Sequence, residues 1–201
     1  LGATEAHGPH LPLSTDVIIV EAMARAGAER LSRQGATVLV LPTVALTPAP
    51  FAADFAGTLS TRPATLVALL EDVADALAAQ GFRRLVFISA HLDPEHLGAV
   101  REAVETIRTD GLRVAFPELS RKPWSLRLGE EFQTGACHAG RFETSIVLAE
   151  RPDLVREFAF DPAFHDVDTL LERVAPGILP WQRLNELAAG IQQSVRASEA
   201  L

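Results

Sequence analysis

Three observations predict an α/β fold, a three-layer α/β/α sandwich around a mostly parallel sheet. Thr37 to Leu41 and Leu85 to Ile88 are short apolar runs without polar alternation, as strands buried on both faces are. Leu112 to Phe116 is a third extended segment. Helix-length stretches with start and stop signals separate these runs, and a strand–helix–strand order implies parallel pairing with helices on both faces. The elements follow in order. Val17 to Arg33 reads as a helix that Thr15 or Asp16 could cap and Gly35 stops. Pro42 to Gly57 is a loop holding three prolines and two phenylalanines. Pro63 opens a helix running to Gln80, closed by Gly81. Pro94 to Thr109 is a third helix, and Pro117 to Ala136 is a long loop. Gly140 to Glu150 is a further helix, Asp161 to Pro180 is irregular, and Trp181 to Ala200 is a closing helix.

The chain has 201 residues, a length that suits one domain covering 1–201. It opens on Leu1-Gly2-Ala3-Thr4 directly before a motif, so a leader or first strand is expected to have been lost ahead of it. With 48% hydrophobic and 22% charged residues, a packed core is expected rather than disorder. The net charge is −8, and the basic residues form no cluster. Nucleic acid is therefore excluded as a partner, because phosphate neutralisation needs a clustered basic face. No run approaches the roughly 18 apolar residues of a membrane span. The single cysteine, Cys137, excludes an intrachain disulfide and fits the reducing cytoplasm.

On such sheets ligands bind outside the carboxyl ends of the strands. Five of the six histidines fall in three short segments at predicted element junctions, and each segment also carries carboxylates. The first is Glu5-Ala6-His7-Gly8-Pro9-His10-Leu11-Pro12-Leu13-Ser14-Thr15-Asp16. The second is Ser89-Ala90-His91-Leu92-Asp93-Pro94-Glu95-His96, and the third is Cys137-His138-Ala139-Gly140-Arg141-Phe142-Glu143-Thr144-Ser145. In an extended segment residues two apart share a face. Glu5 with His7 and His91 with Asp93 are such pairs. Nitrogen and oxygen donors together suit Zn, Mn or Fe rather than Ca or a thiolate site. A carboxylate can bridge two ions about 3.5–4 Å apart. Asp16 as the bridge would give one ion Glu5, His91 and Asp16, and the other His7, Asp93 and Asp16. Each segment also has a plainer reading: Asp16 as a helix cap, His91 as a satisfied strand-end histidine, Gly8 to Pro12 as a rigid turn. Convergence at one sheet edge favours the metal reading, since buried carboxylates and imidazoles without partners are costly.

The first segment resembles the opening signature of the creatininase (creatinine amidohydrolase) family, and His138 to Ser145 resembles its last. Phe55-Ala56-Gly57-Thr58-Leu59-Ser60 is similar to the family's Phe-Pro-Gly-Thr segment. The resemblance implies an α/β/α sandwich whose two-metal site hydrolyses a C–N bond of a small cyclic or linear amide. It implies that Glu5, His7, Asp16 and His91 are metal ligands, with Asp93 where creatininase has a glutamate ligand. His138 would transfer the proton and Glu143 would orient it. Two divalent ions, Zn and/or Mn with Fe as a further candidate, are the implied cofactors, and a homo-oligomer, often a hexamer, the implied assembly. The family's Asn-Gly-His-Gly-Gly-Asn segment reads Ser89 to Pro94 here, without either asparagine. Thr134 stands where creatininase presents a tryptophan. These departures point away from creatinine itself. Rival readings are a deformylase or peptidase branch of the family, or a non-catalytic small-molecule binder that kept the fold. Trp124 is a candidate substrate-pocket floor. Cys137 is disfavoured as a nucleophile beside His138, because adjacent residues in an extended chain face opposite ways.

Overall fold

The computed structural model describes residues 1–128, 131–132 and 137–156. The expected irregular stretch from Asp161, the closing helix from Trp181, and Thr134 lie outside the described residues.

Among the described residues four α-helices carry the architecture: α1 (Thr15–Arg33), α2 (Pro63–Ala79), α3 (Pro94–Thr106) and α4 (Arg141–Glu150). Each lies within a few residues of its expected position. Ser14, not Thr15 or Asp16, occupies the cap position of α1. Thr15 Oγ1 instead donates to the Pro12 carbonyl at 2.7 Å, and Asp16 sits one residue further into the first turn. The helix ends where Gly35 takes φ 87° and the amides of Gly35 and Ala36 return to Ser32 and Leu31. α3 stops at Thr106, three residues early, because Ile107 turns extended (φ −58°, ψ 112°) and packs on the core.

Strands β1 (Arg84–Val86) and β2 (Arg113–Ala115) pair in parallel, with Leu85 opposite Val114. Further extended segments continue the layer. The Leu1 nitrogen donates to the Ile88 carbonyl at 2.6 Å and Ala90 donates back to the Leu1 carbonyl at 3.3 Å, the parallel pattern. On its other side the first segment meets Val44, whose carbonyl accepts from Gly2 at 3.0 Å. The expected strand Thr37 to Leu41 is corrected. It forms no regular ladder, and Leu39, Val40 and Leu41 are exposed. The chain reaches its neighbour only later, at Val44 to Thr47.

Side chains alternate across the layer with period two. Leu85 and Phe87 point to one face, where Leu66, Val67, Leu70 and Ala74 of α2 and Ala99, Val100 and Ala103 of α3 close a core. Ile88 and Ala90 point to the other face, against Ile19 and Val20 of α1 and Val147 of α4. The fold is α/β, with helices on both faces of a parallel sheet. Among the described residues no helix is long and apolar enough to cross a membrane.

Candidate metal centre

The carboxyl end of the first extended segment delivers Glu5 and His7, both buried. A turn through Gly8 (φ 67°) then folds the chain back, and the Glu5 amide donates to the Leu13 carbonyl at 3.1 Å. That reversal starts α1 directly over the first segment. A Cβ on Gly2 would lie 2.9 Å from the Val17 nitrogen and 3.0 Å from the Asp16 carbonyl carbon, so only glycine admits this approach. Asp16, on the first turn, is thereby returned to Glu5 and His7. His91 arrives from the segment after β1, and His138 and Glu143 from the start of α4.

The distances are short. His7 Nε2 lies 3.3 Å from Asp16 Oδ1, 3.7 Å from Glu143 Oε2 and 3.8 Å from Glu5 Oε1. His91 Nδ1 lies 3.1 Å from both Glu5 Oε1 and Asp16 Oδ2. His138 Nδ1 lies 3.9 Å from Glu5 Oε1. Each imidazole is oriented by a main-chain carbonyl on its far nitrogen. His7 Nδ1 bonds to Glu5 O at 3.1 Å, His91 Nε2 to Pro48 O at 2.8 Å, and His138 Nε2 to Ala6 O at 2.8 Å. With the far nitrogens donating, the near nitrogens face the carboxylates; a near nitrogen that carries a proton donates to them, and on losing it offers a lone pair to a cation. His7 Nε2 and Asp16 Oδ2 are buried without an ordinary hydrogen bond. Among the described residues three overlapping donor groups result: Glu5, Asp16, His91; His7, Asp16, Glu143; and Glu5, His7, His138.

The charges interact strongly. Burial alone would depress His7, but Asp16, Glu143 and Glu5 outweigh it and raise its pKa to about 10. His91 is likewise raised well above its ordinary value, as Glu5 and Asp16 overcome burial. Burial opposes ionisation of Glu5 and Asp16, yet the neighbouring imidazoles hold both below the usual carboxylate range. Glu143 is pushed up to about 8, by burial first. His138 is lowered, by burial and then by the His7 charge.

Three expectations differ from this geometry. Asp93 is outside the donor groups. Its Oδ1 accepts from the Glu95 amide at 2.8 Å and the His96 amide at 3.4 Å, and its Oδ2 lies 3.5 Å from the Phe51 nitrogen. The Asp-Pro-Glu order makes it the N-cap of α3, which bends the carboxylate back over the helix start. It still lines the cavity beside the cluster, together with Leu92, Phe132, Cys137, His138 and Glu143. Glu143 does not bond His138. It stands three residues after the Gly140 cap, so its carboxylate reaches back to the Ala139 amide and faces His7. That spacing was a legible signal for its direction. Trp124 does not line the cavity. It belongs to the turn preceding the short 3₁₀ helix Ser125–Arg127 and is 41% exposed, while Phe132 supplies the aromatic wall. Cys137 is buried, and burial with Glu143 nearby pushes its thiol up to about 12, which leaves no thiolate at neutral pH.

Fold and cluster together define an α/β protein with a candidate divalent-metal centre at the carboxyl edge of its sheet. The chain belongs to the creatininase family: the family model described as creatinine amidohydrolase matches residues 1–194. A mycofactocin precursor peptide peptidase of Mycobacterium tuberculosis (strain ATCC 25618 / H37Rv) is 34% identical over 161 residues, covering 78% of this chain and 59% of that protein. A creatinine amidohydrolase of Pseudomonas putida is 28% identical over 175 residues, covering 77% of this chain and 64% of that one. The chain thus spans about three-fifths of the length of these two curated relatives. A manganese form of a solved creatininase superposes with TM-score 0.60 at 25% identity, covering 99% of this chain and 86% of that one. Both curated relatives are named as hydrolases of C–N bonds.

Proposed function

We propose that this chain carries the catalytic centre of a divalent-metal-dependent amidohydrolase acting on a C–N bond of a small amide or short peptide. The observation that supports this most directly is the orientation of His7, His91 and His138, each anchored on a main-chain carbonyl with its other nitrogen turned towards buried carboxylates. The donors also converge: within each group the candidate ligand atoms lie within 4.8 Å of one another, and His7 Nε2 makes no hydrogen bond of ordinary geometry. Glu5, Asp16 and His91 would hold one ion. His7 and Asp16 would hold the other, with Glu143 as third donor. The donor chemistry fits Zn or Mn, with Fe as the further candidate. Ions bound there supply Lewis acidity towards a carbonyl oxygen and acidify a water. Asp16, with one oxygen towards each group, ties the two halves together. His138 keeps a lone pair on Nδ1 beside Glu5, placed to move a proton to a leaving nitrogen.

The higher identity to a peptide peptidase than to a creatinine amidohydrolase supports a peptide or linear amide over creatinine itself. The apolar wall of Leu92 and Phe132 suits an apolar group beside the scissile bond. Self-assembly into a homo-oligomer and a cytoplasmic location are part of the same reading.

Metal analysis of the purified chain tests it. Two equivalents are expected, with hydrolysis of at least one member of a panel of linear amides, N-formyl amides and short peptides. No bound metal would instead support the non-catalytic binder. Glu143→Gln is expected to lose one equivalent and Asp93→Asn to keep two. The reverse result would return Asp93 to the ligand set.

A further inference from the structure

We propose that Glu131 is a positioning residue for the metal centre, clamping the start of α4 so that Glu143 and His138 stay against the donor groups; this rests on the metal-centre reading above. The cap position of α4 is Gly140, which offers no side chain to the first-turn amides. Those amides would otherwise lack partners. Glu131, ten residues upstream, supplies both: Oε2 accepts from the Arg141 amide at 2.9 Å and Oε1 from the Phe142 amide at 2.7 Å. The carboxylate is buried and sits at the positive end of the helix dipole.

The clamp matters because of what hangs on it. Ala139, between His138 and Gly140, takes φ 53°, a left-handed conformation that a non-glycine residue keeps only where its surroundings hold it there. Four contacts do so: His138 to the Ala6 carbonyl, the Ala139 amide to Glu143, the Gly140 amide to the Cys137 carbonyl, and Glu131 on the Arg141 and Phe142 amides. Phe132, adjacent to Glu131, packs edge-on against Phe142 at 5.2 Å and lines the cavity. The wall of the cavity and the helix that carries Glu143 are therefore fastened at one point. Of the donor groups, those containing Glu143 and His138 depend on this turn. The group of Glu5, Asp16 and His91 is delivered by other elements.

That asymmetry gives a selective test. Mn²⁺ is titrated into the full metal-stripped chain, wild type against Glu131→Ala and Glu131→Gln, by calorimetry with thermal unfolding on the same preparations. Glu131→Ala is expected to weaken the second equivalent by about 10- to 100-fold, the range for losing a group that orients a ligand, and to leave the first unchanged. Glu131→Gln keeps one oxygen that can accept an amide and is expected to fall between the two; it carries the test alone if Glu131→Ala does not fold. Two equivalents of wild-type affinity in the variant that folds would overturn the proposal. So would an equal loss at both sites, which marks general structural damage. Wild type that takes up no Mn²⁺ would overturn the metal-centre reading itself, and this inference with it.

Discussion

Replacing Asp16 with asparagine removes the side chain common to the two donor groups assigned to the two ions. Its Oδ1 lies 3.3 Å from His7 Nε2 and its Oδ2 3.1 Å from His91 Nδ1, so opposite oxygens face opposite halves of the site. Asparagine keeps the volume and one oxygen but turns the other into a donor and deletes the charge. At an effective dielectric near 20, a unit charge about 4 Å from a divalent ion is worth about 8 kcal/mol. Half of that, after allowing for the retained oxygen and for desolvation, weakens binding by about 10³-fold. At an ion concentration of about 1,000 times the wild-type Kd, bound metal stabilises the fold by about 4 kcal/mol. The variant, then at about its own Kd, retains about 0.4 kcal/mol. For a chain of this size the metal-dependent rise in Tm should shrink from about 12 °C to about 1 °C. If Asp16 served only as an acid in the first turn of α1, its loss would cost about 0.3–1 kcal/mol with or without metal. The assay is metal content after dialysis and Tm with and without added Mn²⁺ or Zn²⁺. An Asp16→Asn protein holding two equivalents and a wild-type Tm shift would refute the bridge.

Four further outcomes are expected. In the metal-free form His7, at about 10, and Glu143, at about 8, hold protons that the unfolded chain releases near 6.5 and 4.5. The folded state then binds more protons, so the Tm of the chelator-treated protein should fall as pH rises from about 6 to 10. Metal uptake must displace those protons, so apparent metal affinity should rise over the same range, measured by calorimetry in buffers of different ionisation enthalpy. His138→Ala should keep two equivalents and lose about 10²–10⁴-fold in kcat on whichever amide is turned over; loss of metal would make His138 a ligand, and unchanged kcat would remove it from the chemistry. Gly57→Ala should destabilise by at least about 1 kcal/mol, because φ is 95° there and a Cβ would meet Leu13 Cδ1 at 2.6 Å. Denaturant unfolding checks this, and an unchanged midpoint would show that the turn relaxes freely.

Much of the fold is legible in local signals. Pro63 and Pro94 at first helical positions, Gly35 and Gly81 in left-handed stops, and the apolar run at Leu85 mark elements that local chemistry alone specifies. The three histidine segments are also visible as chemistry, because metal-type donors crowded into short stretches are expensive to bury for any other reason. Local signals carry some directions, as at Glu143, but not which of two local roles a side chain takes. Asp93 has the spacing of a ligand, yet the helix following it leaves the Glu95 and His96 amides without carbonyl partners, and capping them decides where its carboxylate turns. Glu131 shows no motif, because its partners are main-chain amides ten residues later. Thr37 to Leu41 has the composition of a buried strand, but strand pairing is a non-local choice, and the first segment chose Val44 to Thr47. The residue types able to hold metal were determined by the sequence alone. Which of them meet was decided by three non-local contacts: Gly2 against α1, the sheet-edge return of His91, and the clamped start of α4. Each joins groups whose meeting depends on packing, and packing has no signature in the spacing of residues along the chain.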